Sequence, residues 1–147
     1  MNVVSRIGCW VGLIGFLMAG SAESATRYVN VSNATPAAPF LSWETAATNI
    51  QAAIWQCTIG DEILVAPGVY DQSGGTLLIP NGMTLTLQST VRHGAILDGG
   101  GIAQTLNVVG PGSLVAGFVI RNGQYPSGGG ADLGCPCILR EGVRFIK

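Results

Sequence analysis

The chain has 147 residues, enough for one domain, with 48% hydrophobic and only 10% charged residues, against roughly 25% charged in ordinary soluble domains. A net charge of -1 excludes a basic field that would attract nucleic acid, and the acidic excess is too small to recruit a polycation. Glycine, at 22 residues, has about twice its usual share, which favours turns and short strands over helices.

Residues 1–22 read as a secretory signal peptide. Arg6 supplies the positive start, Ile7 to Ala19 an uncharged apolar run, and Gly20-Ser21-Ala22 a small-x-small cleavage site. The run is shorter than the roughly twenty residues that span a bilayer, and no later stretch is long enough, so no transmembrane span is expected after cleavage. Cys9 lies too early in the run to carry a lipid. Cleavage after Ala22 removes Arg6 and leaves six basic groups facing eight acidic ones.

Next comes a strand over Thr26 to Val31, then a loop from Ser32 to Pro39. Asn30-Val31-Ser32 and Asn33-Ala34-Thr35 fit the N-glycosylation pattern, or serve as ordinary turn residues. Ser42 is a suitable N-cap, and Trp43, Ala46, Ala47, Ile50, Ala53, Ile54 and Cys57 recur at helical spacing. The expectation is a single amphipathic helix stopped by Gly60 and docked over the end of a sheet structure.

Short strands follow: Ile63 to Ala66, Val69-Tyr70, Thr76 to Ile79, Met83 to Gln88, Ala95 to Leu97, Thr105 to Val109 and Leu114 to Ile120. Ile63 and Val65 are followed at intervals near twenty-two by Leu85 and Leu87, then by Leu106 and Val108; Ile96 and Phe118 repeat the interval. The segment near Leu78 does not fit it and implies an irregular loop. Two folds accommodate this punctuation. In an antiparallel sandwich, Asn81-Gly82 and Asn122-Gly123 would be hairpin turns. In a parallel β-helix, like residues stack, with Leu85 over Ile63 and Leu106 over Leu85. The near-constant interval favours the second.

The segment IQAAIWQCTIGDEILVAPGVY resembles the cap helix and first coil of right-handed parallel β-helix proteins of the pectin-lyase-like type, and AILDGGG and LVAGFVIRNG resemble coil motifs of bacterial exported proteins with that fold. The resemblance covers about residues 26–130. It implies an all-β chain: a right-handed parallel β-helix of about three coils with an N-terminal capping α-helix. It does not specify an activity, because this fold carries lyases, glycosidases, adhesins and passenger domains alike. The domain reading is therefore a signal peptide over 1–22, cap and first coils over 23–130, and an atypical tail over 131–147. No strand alternation persists in that tail, which is either a family-specific cap or, the favoured reading, the mark of truncation of a longer protein, with a disordered C-terminus or self-association expected.

Chemistry is sparse. Lyases of this fold use acidic residues for calcium and an Arg or Lys as base; glycosidases use paired carboxylates. Asp98, Asp71 and Arg121 are the nearest candidates, with Asp98 and Arg121 expected close together as a solvated or turn-stabilising pair. His93, beside Arg92, is the one histidine and reads as solvated. Asp61-Glu62 reads as solvating the cap and protecting a sheet edge. Cys57 reads as a small core residue. Cys135 and Cys137 form half of a metal motif with no histidine nearby, and Gly99 to Gly101 and Gly128 to Gly130 read as turns. No catalytic, cofactor or metal residue is assigned, and no cofactor is expected. The reading is an exported, non-catalytic β-helix module or remnant of a larger surface protein; the alternative is the N-terminal fragment of a polysaccharide lyase or glycoside hydrolase. A polysaccharide or cell-surface glycan is the expected partner class, with self-association through an uncapped end, and the location is secreted or cell-surface. Mass spectrometry of the exported product is expected to find a new N-terminus at Glu23; a product retaining Met1 and Cys9 would refute export.

Overall fold

The computed structural model describes residues 23–101, 104–124, 131–133, 138–139 and 142–146. These form twelve short strands and one helix: β1 (Thr26–Val29), α1 (Ile50–Ile54), β2 (Glu62–Val65), β3 (Gly68–Asp71), β4 (Leu77–Ile79), β5 (Thr86–Ser89), β6 (Ala95–Asp98), β7 (Leu106–Val108), β8 (Leu114–Ala116), β9 (Phe118–Arg121), β10 (Ala131–Leu133), β11 (Ile138–Leu139) and β12 (Arg144–Ile146). The chain is all-β in class, and among the described residues no helix is long and apolar enough to cross a membrane.

The strands make three sheets, ordered β1-β2-β5-β8-β11, β3-β6-β9-β12 and β4-β7-β10. Every strand pairing within them is parallel. From β2 onward the chain visits the three sheets in constant rotation, so each strand pairs with one met a full round earlier. Asn81-Gly82 therefore is not a hairpin turn: β4 and β5, on either side of it, lie in different sheets. The sequence shows no alternation after Ala131, yet β10, β11 and β12 there extend all three sheets by one strand each.

Alternation decides which side chains go inward. In the first sheet Ile63, Leu87 and Val115 are neighbours; in the second Tyr70, Leu97 and Ile120; in the third Leu77 beside Leu106 and Ile79 beside Val108. All are buried and belong to one apolar cluster. Full burial of each Leu, Ile or Val contributes roughly 1.5–3 kcal/mol. The expected Ile63–Leu85–Leu106 ladder is corrected here. Ile63 pairs with Leu87, and Leu106 lies in a different sheet beside Leu77. Leu85 is buried just before β5, and its carbonyl accepts the amide of Leu114 at 2.9 Å. Similarly, Phe118 pairs with Ala95 and Ile96 with Val119, one residue off the expected register. Corner loops of unequal length shift the true period away from a fixed interval, and a one-residue slip would exchange the inward and outward faces.

Two glycines make corners possible. The expected Leu114–Ile120 strand is two strands, bent at Gly117, whose φ of 79° is in the left-handed region. A Cβ there would lie 3.2 Å from Cβ of Ser89, in the turn stacked against it. At Gly110 an added Cβ would collide with the carbonyl of Met83, so these two turns stack backbone on backbone.

The helix is also shorter than its apolar spacing predicts. Ser42 caps only a local turn, its Oγ accepting the amide of Thr45 at 3.4 Å. Ala47 then runs extended beside β1: its amide donates to Tyr28 O at 2.9 Å, and Asn30 N donates to Ala47 O at 2.8 Å. Backbone pairing to the free edge of β1 outcompetes helix propensity in this segment. Asn49 is the actual N-cap, its Oδ1 accepting the amides of Gln51 and Ala52 at 2.7 and 3.4 Å. Trp43, expected on the buried helical face, is 40% exposed and packs edge-on against Tyr28 with ring centroids 4.7 Å apart. What remains, α1, buries Ile50, Ala53 and Ile54 against β1, β2 and β4.

Leu87→Ala is expected to destabilise by about 2–5 kcal/mol, because the cavity opens between Ile63 and Val115. The outward neighbour Gln88→Ala should stay within about 0.5 kcal/mol. Denaturant midpoints of both variants check this; equal effects would refute the assignment of faces.

Candidate functional site

Acidic residues are few, so each can be followed through the structure. Asp61 precedes β2 and is wholly buried, not a solvated cap residue. Its Oδ1 accepts from Ala25 N at 2.8 Å and Thr58 Oγ1 at 3.2 Å, and its Oδ2 from Thr58 N at 2.8 Å and Arg27 Nη2 at 3.1 Å. Arg27, on β1, also donates from Nη1 to Pro39 O at 2.9 Å, and its Nε has no partner. Burial pushes the Asp61 carboxyl up, but the Thr58 and Ala25 hydrogen bonds and the Arg27 charge outweigh it and hold the group below the usual carboxylate range. With no exposed oxygen, Asp61 is a clamp joining the start of β1, the Pro39 loop and the entry to β2. Edge protection has no role here, because β2 lies between β1 and β5.

The second acidic group lies on an outward face. Register places Asp71, Asp98 and Arg121 side by side on β3, β6 and β9. Asp98 accepts from Arg121 Nε at 2.8 Å, Asn122 Nδ2 at 2.9 Å and Gly100 N at 3.1 Å. The hydrogen bond from Asn122, with those from Gly100 and Arg121, holds its carboxyl below the usual range. Asp71 Oδ1 accepts the Ser73 amide at 2.8 Å, and the hydrogen bonds from Ser73 hold that carboxyl low despite the like charge of Asp98, which pushes it up. Neighbouring strands lie about 4.8 Å apart, so these carboxylates are close. A glycosidase pair, however, needs one acid held protonated, and here both are pulled the other way. The exposed Arg121–Asp98 pair contributes about 0–1 kcal/mol.

A groove of about 470 Å³ opens beside Asp71, between α1 and the loop joining β3 to β4. Gln51 sets its α1 wall, donating from Nε2 to Leu78 O at 3.1 Å and accepting Leu78 N through Oε1 at 2.8 Å. This pair of bonds satisfies the outer edge of β4 as a further strand would. Gln72 lies buried in the opposite wall, its amide donating to Asp98 O at 2.7 Å. Trp55 stands on the rim, 75% exposed. Sequence reasoning passed over Gln51 and Trp55. The available signal was a tryptophan lying off the apolar face of Ile50, Ala53, Ile54 and Cys57.

The remaining candidates stand apart. His93 is half-buried in a turn at φ 61°, its amide donating to Gly117 O at 2.7 Å, and Arg92 lines a shallow recess with Ser89 and Gly117. Burial raises the Cys57 thiol, partly countered by Arg27, and Sγ donates to Ala53 O at 3.3 Å. Among the described residues no cluster of three or more His, Cys, Asp or Glu could hold a metal ion. Cys135, Cys137 and Gly128 to Gly130 lie outside the described residues. No protein-family model, curated protein or solved structure matches the chain.

Asp61→Ala strands the buried Arg27 charge and is expected to destabilise by about 3–5 kcal/mol. Because the folded Asp61 carboxyl sits below its ordinary value of about 3.9, its contribution is present above that pH and is lost as pH falls through the folded value. Denaturant unfolding at neutral pH and at about pH 3 should show wild type losing part of this contribution and Asp61→Asn losing much less. An equal acid response in both would remove Asp61 from this role.

Proposed function

We propose that the chain is an exported, non-catalytic module of a bacterial surface protein, folded as a right-handed parallel β-helix of about three coils with α1 as its N-terminal cap. The observation carrying this reading is the constant rotation of parallel strands through three sheets around one apolar cluster. A parallel connection within a sheet is right-handed in about 98% of cases, which supports the hand. The position of α1 on β1, β2 and β4 fits a cap, since these strands open their sheets or stand next to the strand that does. The resemblance of residues 26–130 to pectin-lyase-like coils and the apolar N-terminal run support export.

Non-catalytic function is supported by the outward charges. Asp98 is occupied by Arg121, Asn122 and Gly100, and neither Asp98 nor Asp71 is tuned as a proton donor. The adjacency of Asp71 and Asp98 is the observation favouring a lyase or glycosidase fragment instead. Purified exported protein incubated with polygalacturonate, with and without calcium, and with neutral polysaccharides is expected to release neither unsaturated products nor new reducing ends. Turnover abolished by Asp98→Ala would establish the enzyme reading.

A further inference from the structure

Trp55 is the most exposed of the chain's large hydrophobic side chains among the described residues, at 75%. An indole offers a rigid face of large area, and nothing within the fold covers most of this one. It adjoins a groove in which the polar side chains of Asn49, Asp71, Gln72 and Thr76 are set among apolar surface from Ala52, Gly74 and Gly75. The volume of about 470 Å³ lies within the roughly 300–1,000 Å³ of small-molecule sites. We propose that this groove binds a neutral carbohydrate chain, with one sugar ring stacked on Trp55 and adjacent hydroxyls held by Asp71 and Asn49.

The chemistry follows from what each group has left to offer. Ser73 N donates to Asp71 Oδ1 and orients the carboxylate, which stays exposed to solvent and can accept a sugar hydroxyl. Asn49 spends its Oδ1 on the helix amides, leaving Nδ2 as a donor. The walls are fixed: Gln51 bolts α1 to β4, and the Gln72 amide bolts the loop to β6. A prepositioned site loses little entropy when it binds. Charge selects the sugar class. Among the described residues neither Lys nor Arg lines the groove and the Asp71 carboxylate has no ion-pair partner, so a polyuronate would meet its negative charge. The proposal takes only the external location from the function proposed above, and binding by the purified protein is measured independently of export and of turnover.

Affinity electrophoresis of the purified exported protein supplies the test, in gels cast with hydroxyethylcellulose, xylan, galactomannan or polygalacturonate. Expected is retardation by at least one neutral polysaccharide and none by polygalacturonate. Trp55→Ala should weaken that retardation roughly tenfold or more, as loss of a stacking anchor does. Trp55→Phe should recover part of it, and Gln88→Ala, on another outward face, should leave it unchanged. Trp55 is mostly solvent-facing, so an unchanged denaturation midpoint of Trp55→Ala separates lost binding from lost fold. Retardation by no neutral polysaccharide, retardation indifferent to Trp55→Ala, or equal retardation by polygalacturonate would each overturn the proposal.

Discussion

A strand in a parallel sheet finds its backbone partners only on strands that the chain reaches after leaving and returning. Here that return takes a full round through two other sheets, and most of the architecture serves it. Inward residues must align from round to round, as Ile63, Leu87 and Val115 do, or the apolar cluster loses its continuity. Corners must turn tightly while stacking on the corner before, which is why Gly110 faces the Met83 carbonyl and Gly117 faces Ser89. Loops between strands are otherwise free to differ in length, because solvent satisfies their backbone. Most contacts are therefore long-range, and little of this structure could persist in an isolated segment.

Among the described residues β1, β3 and β4 stand at the edges of their sheets, and two features lie beside them. Residues 46–54 pair briefly with β1 through Ala47 and then become α1, which buries Ile50, Ala53 and Ile54 against β1, β2 and β4. At the same end, Arg27 and Asp61 place a charge pair where a ladder of inward residues would begin. Such a pair contributes little net stability over an apolar replacement, but it tolerates only one arrangement of the segments that donate to it. Ala25, Thr58, Arg27 and Pro39 converge on it from separate parts of the chain, so it sets the register of β1 against β2.

The outer surface follows different rules. Asp98 knots β6 to β9 through Arg121 and Asn122, and this leaves Asp71 the more available of the two neighbouring carboxylates. Gln51 closes the edge of β4 from the helix, which holds Trp55 above the loop that follows β3. Covering apolar surface of β1, β2 and β4 and shaping a groove are thus the work of one short helix: its inner face supplies burial, and its outer face carries Gln51 and Trp55.

Alternation in Thr84-Leu85-Thr86-Leu87, turns at Pro67-Gly68 and Pro80-Asn81-Gly82, and recurrence of the apolar pairs were legible in the sequence, and with them the all-β class. Those features depend on residues close along the chain. The adjacency of Asp98 and Arg121 was legible too, because one round separates them. Sequence could not show which Leu lies beside Ile63, since loop length is free and the interval alone cannot count it. Nor could it show that the helical spacing from Trp43 to Ala47 would yield to pairing with β1, or that three strands would form after Ala131 without alternation. Asp61 read as a surface residue because its four-bond cradle comes from residues as distant as Ala25 and Arg27. Trp55 drew no attention because its exposure depends on where α1 docks. Local pattern set the class and the turns; register, the buried charge and the groove belong to contacts between rounds, which only the folded chain brings together.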